Sequence, residues 1–422
     1  MLYQGSYEAF SKEDLPKEGN IYSPRPIGDR NFVFRNETLA TMSDAEIEYA
    51  RLDERSTHFP YNAALRRILA NLETVATISV DGVRPDLESM LSRESAAYAQ
   101  RFGLDSGLPQ RQLLDERQEA ATKAAVRYYN AIHEIASGSP RFEFTQQSLL
   151  DLHAKLMYDP DEQDAVDRHF RRRPFRMRIN ARGAVRNIYI APAPEDVPAL
   201  VDDVLAFCNK PNLSPVSQAA VAHFHLEAIR PFKTGMDRTG RAFCHMVIRK
   251  REMYRHIIPP IALVPAMNAS NHATLLFPYR TNKPFTEREA ALALDRWTLH
   301  CAECMVVSVK VVNNLVKRLT ALEESWRGRL PRLRSGGVLD LMLCELPGLP
   351  IVTVSTAMAI TGKGFSAAND AVRQLADANI ISPQGPGHRN RVFVATEAVE
   401  LMRSIADQAI PTELVSRESV FA

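Results

Sequence analysis

The sequence predicts a mainly α-helical protein with one small β-hairpin and a C-terminal winged helix. Three observations predict it. Apolar residues recur at three- and four-residue spacing through most of 43–325. That pattern breaks between about 172 and 193, where basic and apolar residues alternate around Gly183, as in a two-stranded hairpin. After residue 337 the pattern becomes three short helices followed by two strands around a Pro/Gly/basic turn.

The elements follow in order. Residues 1–40 are rich in Pro, Gly, Asn and charge and have no sustained period, so they read as an irregular arm. From Ser43 the segments SDAEIEYARLDERSTHF and NAALRRILANLETVATI are helical in pattern. Further helical patterns lie near 85–137, 145–158, 195–208, 215–229, 238–251 and 287–325. The segment 326–337, WRGRLPRLRSGG, reads as a linker. Beyond it, VLDLMLCEL and STAMAIT are short helices. SAANDAVRQLADANI is a third, with Ala368, Val372, Leu375 and Ala376 on one face, and IISPQGPGHRNRVFVAT holds the two strands.

With 422 residues the chain exceeds what one compact core usually holds. Three units are expected: an N-terminal arm and helical segment over 1–110, a core domain over 111–330 and the winged helix over 331–422. Hydrophobic content of 45% and charged content of 24% are those of an ordinary globular protein, and a net charge of +2 favours no class of partner. No stretch approaches 18 consecutive apolar residues, so no membrane span is expected, and the first twenty residues lack a signal-peptide pattern. Five scattered cysteines fit a reducing cytoplasm. Cys301-x-x-Cys304 lies in a helical stretch with no second Cys/His pair near it, and reads as helix cysteines rather than a zinc or redox motif; no metal ligand set is expected.

The most informative segment is 222–241, AHFHLEAIRPFKTGMDRTGR. In its helix, His223, Glu227 and Arg230 fall at i, i+4 and i+7 and share a face. Pro231 stops the helix, and Phe232 is expected to plug the core. Lys233-Thr234-Gly235-Met236-Asp237 is a tight turn, with Asp237 expected to cap a helix starting near Arg238. A glycine-bearing turn entering a helix N-terminus presents free N–H groups and a positive dipole end, which suits an anion. The plainer alternative is a capped corner with its arginines in water.

These residues resemble the signature of the Fic (Fido) family, whose loop runs His-Pro-Phe-x-Asp/Glu-Gly-Asn-Gly-Arg-x-Gly-Arg. The framework continues through Gly235, Arg238, Gly240 and Arg241. Upstream, LETVATISVDGV resembles the family's inhibitory helix, with Thr77, Asp81 and Gly82 at its motif positions and Asp for Glu. Between them, RINARGAVRNIYIAPAPEDVPALVDDVLAFC resembles the hairpin flap where target segments dock, which assigns Asn187, Ile188, Tyr189 and Ile190 to it. The resemblance implies a Fic-fold helical core with the flap, ahead of the winged helix. The implied activity is transfer of a nucleoside monophosphate to a protein hydroxyl, with ATP and Mg²⁺ as cofactors of an active form and a protein target at the flap.

The chemistry-bearing positions depart from that pattern. The family's loop histidine removes a proton from the target hydroxyl; here it is Arg230, which has no free lone pair near neutral pH. Thr234 replaces the carboxylate that holds Mg²⁺. Met236 replaces the Asn, and Asp237 brings a negative charge and a side chain to a glycine position beside phosphate. These read as obstacles at three separate steps. Arg238 and Arg241 are retained, and with base and metal ligand gone, structural pairing with Asp237 and Asp81 is favoured over phosphate contact. Arg230 with Lys233 and Arg238 also makes a site suited to another anion.

In the winged helix, Ser366, Asn369, Asp370, Arg373 and Gln374 are expected to point outward. Lys363, Asn369, Arg373, Arg389 and Arg391 are the DNA-contact candidates, opposed by Asp370 and Asp377; packing or dimerisation is the alternative use. Three functional classes follow. They are a catalytically degenerate regulatory or interaction protein with DNA as a candidate partner, a protein adenylyltransferase with unusual residues, and a structural homo-oligomer.

Overall fold

A computed structural model describes residues 7–9, 26–28, 30–108, 114–158, 168–181, 184–211, 213–267, 272, 275, 287–384 and 391–407. It is mainly helical. Helices α1 (Asn36–Ser56), α2 (Asn62–Val80), α3 (Leu87–Arg101), α4 (Glu116–Ser137) and α5 (Gln146–Met157) precede strands β2 (Phe175–Ala181) and β3 (Ala184–Ile190). Helices α6 (Val197–Asn209), α7 (Pro215–Ile229), α8 (Met236–Lys250), α9 (Leu263–Met267) and α10 (Glu287–Gly328) follow. Short polar side chains start several of these helices. Asp86 accepts from the Ser89 amide and Asp115 from the Gln118 amide, both at 2.8 Å, and Thr145 with Ser148 forms a reciprocal capping box.

Helix α7 is the centre of the body. Every residue from Val216 to Ile229 is buried, so it has no solvent face. It packs against α6, α8 and α10. Helix α2 is buried almost continuously from Ala64 to Ile78, which brings its C-terminal end against α8.

The expected hairpin is present, with Arg176 opposite Ile190 and Ile179 opposite Asn187. The arm is not wholly irregular. Its strand β1 (Tyr7–Ala9) adds to β2, giving the order β1-β2-β3 and leaving β3 at an edge. Helical structure begins at Asn36 rather than Ser43, and the pattern over 85–137 is two helices. The break between them is marked by Gly103 and Gly107 at φ 70° and 64°, a backbone region that favours glycine.

The linker begins later than predicted. Helix α10 runs through Trp326 and Arg327 because Trp326 is fully buried, its indole N–H donating to Glu397 at 2.6 Å. Arg327 pairs with Glu323 at 2.6 Å and Asp340 at 2.7 Å. A run rich in Arg and Gly resembles a linker until the partners of its side chains are known. Helix α10 is also long and apolar enough to cross a membrane by length and composition, although no run of 18 apolar residues occurs in it; half of that window is buried within the protein.

The C-terminal unit has the predicted order. Helix α11 (Val338–Glu345), β4 (Ile351–Val352), α12 (Val354–Thr361) and α13 (Phe365–Asp377) lead to β5 (Ser382–Gln384), β6 (Val392–Val394) and a further helix α14 (Thr396–Ala406). Its sheet order is β4-β6-β5. It has its own core around Trp326, Leu343, Val352 and Leu375. It is fastened to α2 and α3: Arg67 pairs with Glu345, Ser95 and Thr356 share a buried hydrogen bond at 3.1 Å, and Arg403 pairs with Glu88. Gly348 lies so close to α2 that a Cβ there would stand 2.7 Å from the Ala64 Cα. The boundary at 110/111 lies outside the described residues.

Candidate functional site

The loop 230–235 joins the C-terminus of α7 to the N-terminus of α8. A residue before proline is disfavoured in the helical region, and Arg230 takes a left-handed conformation at φ 50°. For a residue with a Cβ this costs roughly 1 kcal/mol. Arg171 holds the turn. Its amide donates to the Pro231 carbonyl at 2.8 Å and its Nε to the Arg230 carbonyl at 2.7 Å, while Nη2 reaches the Ile229 carbonyl at 3.3 Å and also Pro192. One guanidinium thus satisfies carbonyls that the end of α7 leaves open. Burial pulls the Arg171 pKa down to about 10. Sequence reading missed it, because it opens a run of three arginines with nothing to distinguish one from the next.

Phe232 plugs the core as expected. It is 2% exposed and stacks on His153 at 3.6 Å between ring centroids. The His153 Nδ1 in turn lies 2.9 Å from the Thr239 hydroxyl.

Arg230 is buried and ion-paired. Its Nη2 lies 3.0 Å from Glu227 Oε2. Its two terminal nitrogens meet Asp237 at 3.1 Å and 3.2 Å, and the Phe175 ring lies 5.8 Å from the guanidinium carbon. This corrects two expectations. Asp237 does not cap α8; Gly235 does, at φ 67°, and Asp237 sits in the first turn, where the helix dipole favours a carboxylate. Nor does Arg230 present an open cationic surface with Lys233 and Arg238, since two carboxylates already take its charge.

Gly235 is required twice over. Its φ is positive, and a Cβ would meet Met157 Sδ at 2.3 Å. Met236 is 1% exposed and belongs to the core, so it does not line the loop surface. Lys233 and Thr234 are exposed. Gly240 backs onto the next layer: a Cβ would come 2.7 Å from the His223 ring and 3.2 Å from Glu227 Oε1.

Asp81 ends α2 as its C-cap, and Gly82 turns the chain at φ 93°. The Asp81 carboxylate bridges two arginines: Oδ2 takes Arg238 Nε and Oδ1 takes Arg241 Nη2 at 2.7 Å. Arg241 also donates to the Thr77 carbonyl at 3.1 Å. Burial pulls the Arg241 pKa down, but the charges of Asp81 and Asp237 outweigh it and hold the guanidinium protonated. The expected division, one arginine to each of Asp81 and Asp237, is therefore corrected. Asp81 holds both Arg238 and Arg241, and Asp237 holds Arg230.

A second layer fixes α2. Buried Glu73 accepts from the Ala262 amide at 2.8 Å, Thr77 Oγ1 at 3.2 Å and Tyr128 OH at 3.4 Å, and its Oε1 lies 3.0 Å from His245 Nε2. It ties α2 to α4, α8 and the start of α9. A lone Glu in an apolar helix pattern gave no sign of this.

At the flap, Asn187 and Ile188 lie in β3. Tyr189 and Ile190 are buried, and the Tyr189 hydroxyl donates to the Ala228 carbonyl. The Tyr189 side chain thus anchors the strand to α7. Lys363, Asn369 and Arg373 are exposed, with Arg373 3.3 Å from Asp370; Arg391 is exposed, and Arg389 lies outside the described residues. Among the described residues no group of three or more His, Cys, Asp or Glu is placed to hold a metal ion.

Residues 143–248, which span α5, the flap, α6, α7, the loop and α8, match the sequence model of the Fic/DOC family. The chain carries a Fic domain. Asp81 and the C-terminal unit lie outside the matched stretch. Curated relatives include the protein adenylyltransferase fic-1 of Caenorhabditis elegans, 22% identical over 262 residues, which are 59% of this chain and 46% of the relative. The protein of the same name from Caenorhabditis briggsae is 22% identical over 56% of this chain and 41% of its own length. The matches thus span less than half of either relative. Among solved structures, a Fic family protein from Desulfovibrio desulfuricans G20 aligns with a TM-score of 0.49 at 12% identity, covering 86% of this chain and 97% of the other.

Proposed function

We propose that this protein keeps a Fic scaffold as a regulatory or interaction module and does not transfer nucleotide. The observation that carries the reading is Arg230, held between Glu227 and Asp237 at the position where the Fic signature has its base. Arginine stays protonated at any physiological pH. No proton can pass from a target hydroxyl to it.

The residues present do not fit Mg-ATP. A phosphate at the N-terminus of α8 would have to displace Asp81 from both Arg238 and Arg241 and approach the Asp237 carboxylate. The metal-ligand position offers only the neutral Thr234 hydroxyl. The activity named for the curated relatives is the competing reading. It is tested by incubating the full chain with α-³²P-ATP and Mg²⁺, with and without lysate; incorporation dependent on Arg238 and Arg241 would establish it.

The C-terminal unit supports a nucleic-acid interface as the form of the interaction, in a winged-helix mode. Helix α13 packs inward through Ala368, Ala371, Val372 and Leu375, while Ser366, Asn369, Arg373 and Gln374 remain exposed on its outer side beside Lys363. Duplex DNA binding, read by fluorescence anisotropy, should fall steeply with salt and weaken when Lys363 and Arg373 are both changed to Ala. Retention unchanged by that double variant would remove DNA from the proposal. Strand β3, at one edge of its sheet, is the place where a protein segment would add.

A further inference from the structure

Away from the loop, helices α2, α3 and α4 line a cavity of about 100 Å³. Its floor is made by Asn71, Met90 and Tyr129, all buried, together with Glu94, whose side chain is 10% exposed. Three guanidiniums line it, from Arg67, Arg93 and Arg101; Glu94 is the one carboxylate in the lining, while Glu345 and Glu119 pair with Arg67 and Arg93 from outside it, so Arg101 carries the unmatched charge. We infer that this cavity is a second binding site, for a small oxyanion of the carboxylate or phosphoryl class.

Three features support that ligand. The first is charge. The Glu94 carboxyl is already engaged, taking Asn71 Nδ2 at 2.9 Å and the Tyr129 hydroxyl, with Arg67 Nε at 4.0 Å. Burial raises its pKa, only partly offset by those hydrogen bonds and by Arg67 and Arg101, which weakens its repulsion of an anion. The second is donor capacity. Arg93 meets Glu119 through Nη2 alone, at 2.7 Å and 2.8 Å, leaving its other nitrogens for a ligand. Arg101 and Asn130 make no side-chain hydrogen bond or ion pair among the described residues, and both stand at the mouth. A planar guanidinium fork suits the two oxygens of a carboxylate or phosphoryl group.

The third is size and flank. The space holds several water molecules, enough for a headgroup of a few atoms. Tyr98 lies under Arg67 at 4.9 Å, and Tyr129 stacks on His133 at 6.1 Å, so aromatic rings flank the guanidiniums. Arg67 also reaches out of the cavity to Glu345, which places the site at the joint with the C-terminal unit.

The test is calorimetric titration of the full chain with inorganic phosphate and, separately, acetate, each balanced with chloride at constant ionic strength. Saturable binding of either is expected, weakened at least tenfold by Arg101→Gln and unchanged by Lys233→Gln, which alters only the loop. Both substituted side chains are exposed and make no hydrogen bond or ion pair among the described residues, so both variants should fold. Binding of phosphate alone assigns the phosphoryl source, acetate alone the carboxylate, and both a general oxyanion site. Absence of saturable binding, or binding lost in Lys233→Gln but kept in Arg101→Gln, overturns the proposal.

Discussion

Arg230 and Asp237, seven residues apart, face each other across the loop as a two-contact ion pair with distances of 3.1 Å and 3.2 Å. In the sequence they stood as separate departures from the Fic signature. In the structure they are one feature, because the Arg230 guanidinium and the Asp237 carboxylate are partners in the same ion pair. The turn into α8 therefore carries an internal charge pair.

Removing one partner should be costlier than removing both. Arg230→Met removes the guanidinium that buried Glu227 and part-exposed Asp237 share, and a loss of about 3–5 kcal/mol is expected for breaking the buried Arg230–Glu227 pair. Arg230→Met with Asp237→Gly should recover part of it, with a coupling of about 1–3 kcal/mol in a double-mutant cycle. Urea denaturation of the four proteins measures it; strict additivity would show that the pair is incidental.

Arg171 is expected to matter as much as any residue of the signature. Arg171→Ala strands the carbonyls of Ile229, Arg230 and Pro192 in a buried place. At about 1–3 kcal/mol for each unsatisfied buried group, the loop should loosen before the body unfolds. Arg171→Lys should not rescue it, because one ammonium cannot reach carbonyls in a fork geometry. Hydrogen exchange at 229–235, compared with exchange in α4, reads this out.

Gly235→Ala should destabilise by about 1–3 kcal/mol through its left-handed backbone and the clash with Met157. Met157→Ala in the same chain should relieve the clash and leave the backbone term. If the single variant melts with the wild type, the turn is not as described.

Stability should fall in mild acid. Burial lowers the pKa of His225 to about 3 and of His300 to about 4, and burial with neighbouring charges lowers that of His272. Each is depressed below the ordinary 6.5, so the unfolded chain binds protons that the folded chain refuses. Stability is therefore full above about pH 6.5 and is lost as pH falls toward 4, by up to about 1.4 kcal/mol per unit per histidine. Denaturation midpoints at pH 7.5 and 5.5 check the sign; His300→Asn should flatten the slope.

Much of this was legible in the sequence. The spacing of Glu227, Arg230 and Pro231, the Phe232 plug and the Asp81–Arg241 contact follow from helical period and from the signature. What was not legible is which cation meets which anion. Asp81 and Asp237 are both within reach of several arginines, and only the packing of α2 on α8 decides that Asp81 takes two of them. Arg171 and Glu73 were invisible for a related reason: most of their partners lie far away in the chain, backbone carbonyls for Arg171 and Tyr128, His245 and the Ala262 amide for Glu73, and leave no residue pattern. Trp326 was misplaced because an apolar ring inside a basic run gives no period to read.

The central question is whether the loop receives nucleotide. Calorimetry of the full wild-type chain with Mg-ATP tests that most directly. No saturable heat is predicted up to millimolar nucleotide, because Arg238 and Arg241 are held by Asp81 and Asp237 borders the approach. Micromolar, Mg²⁺-dependent binding that is lost in Arg241→Ala would contradict it.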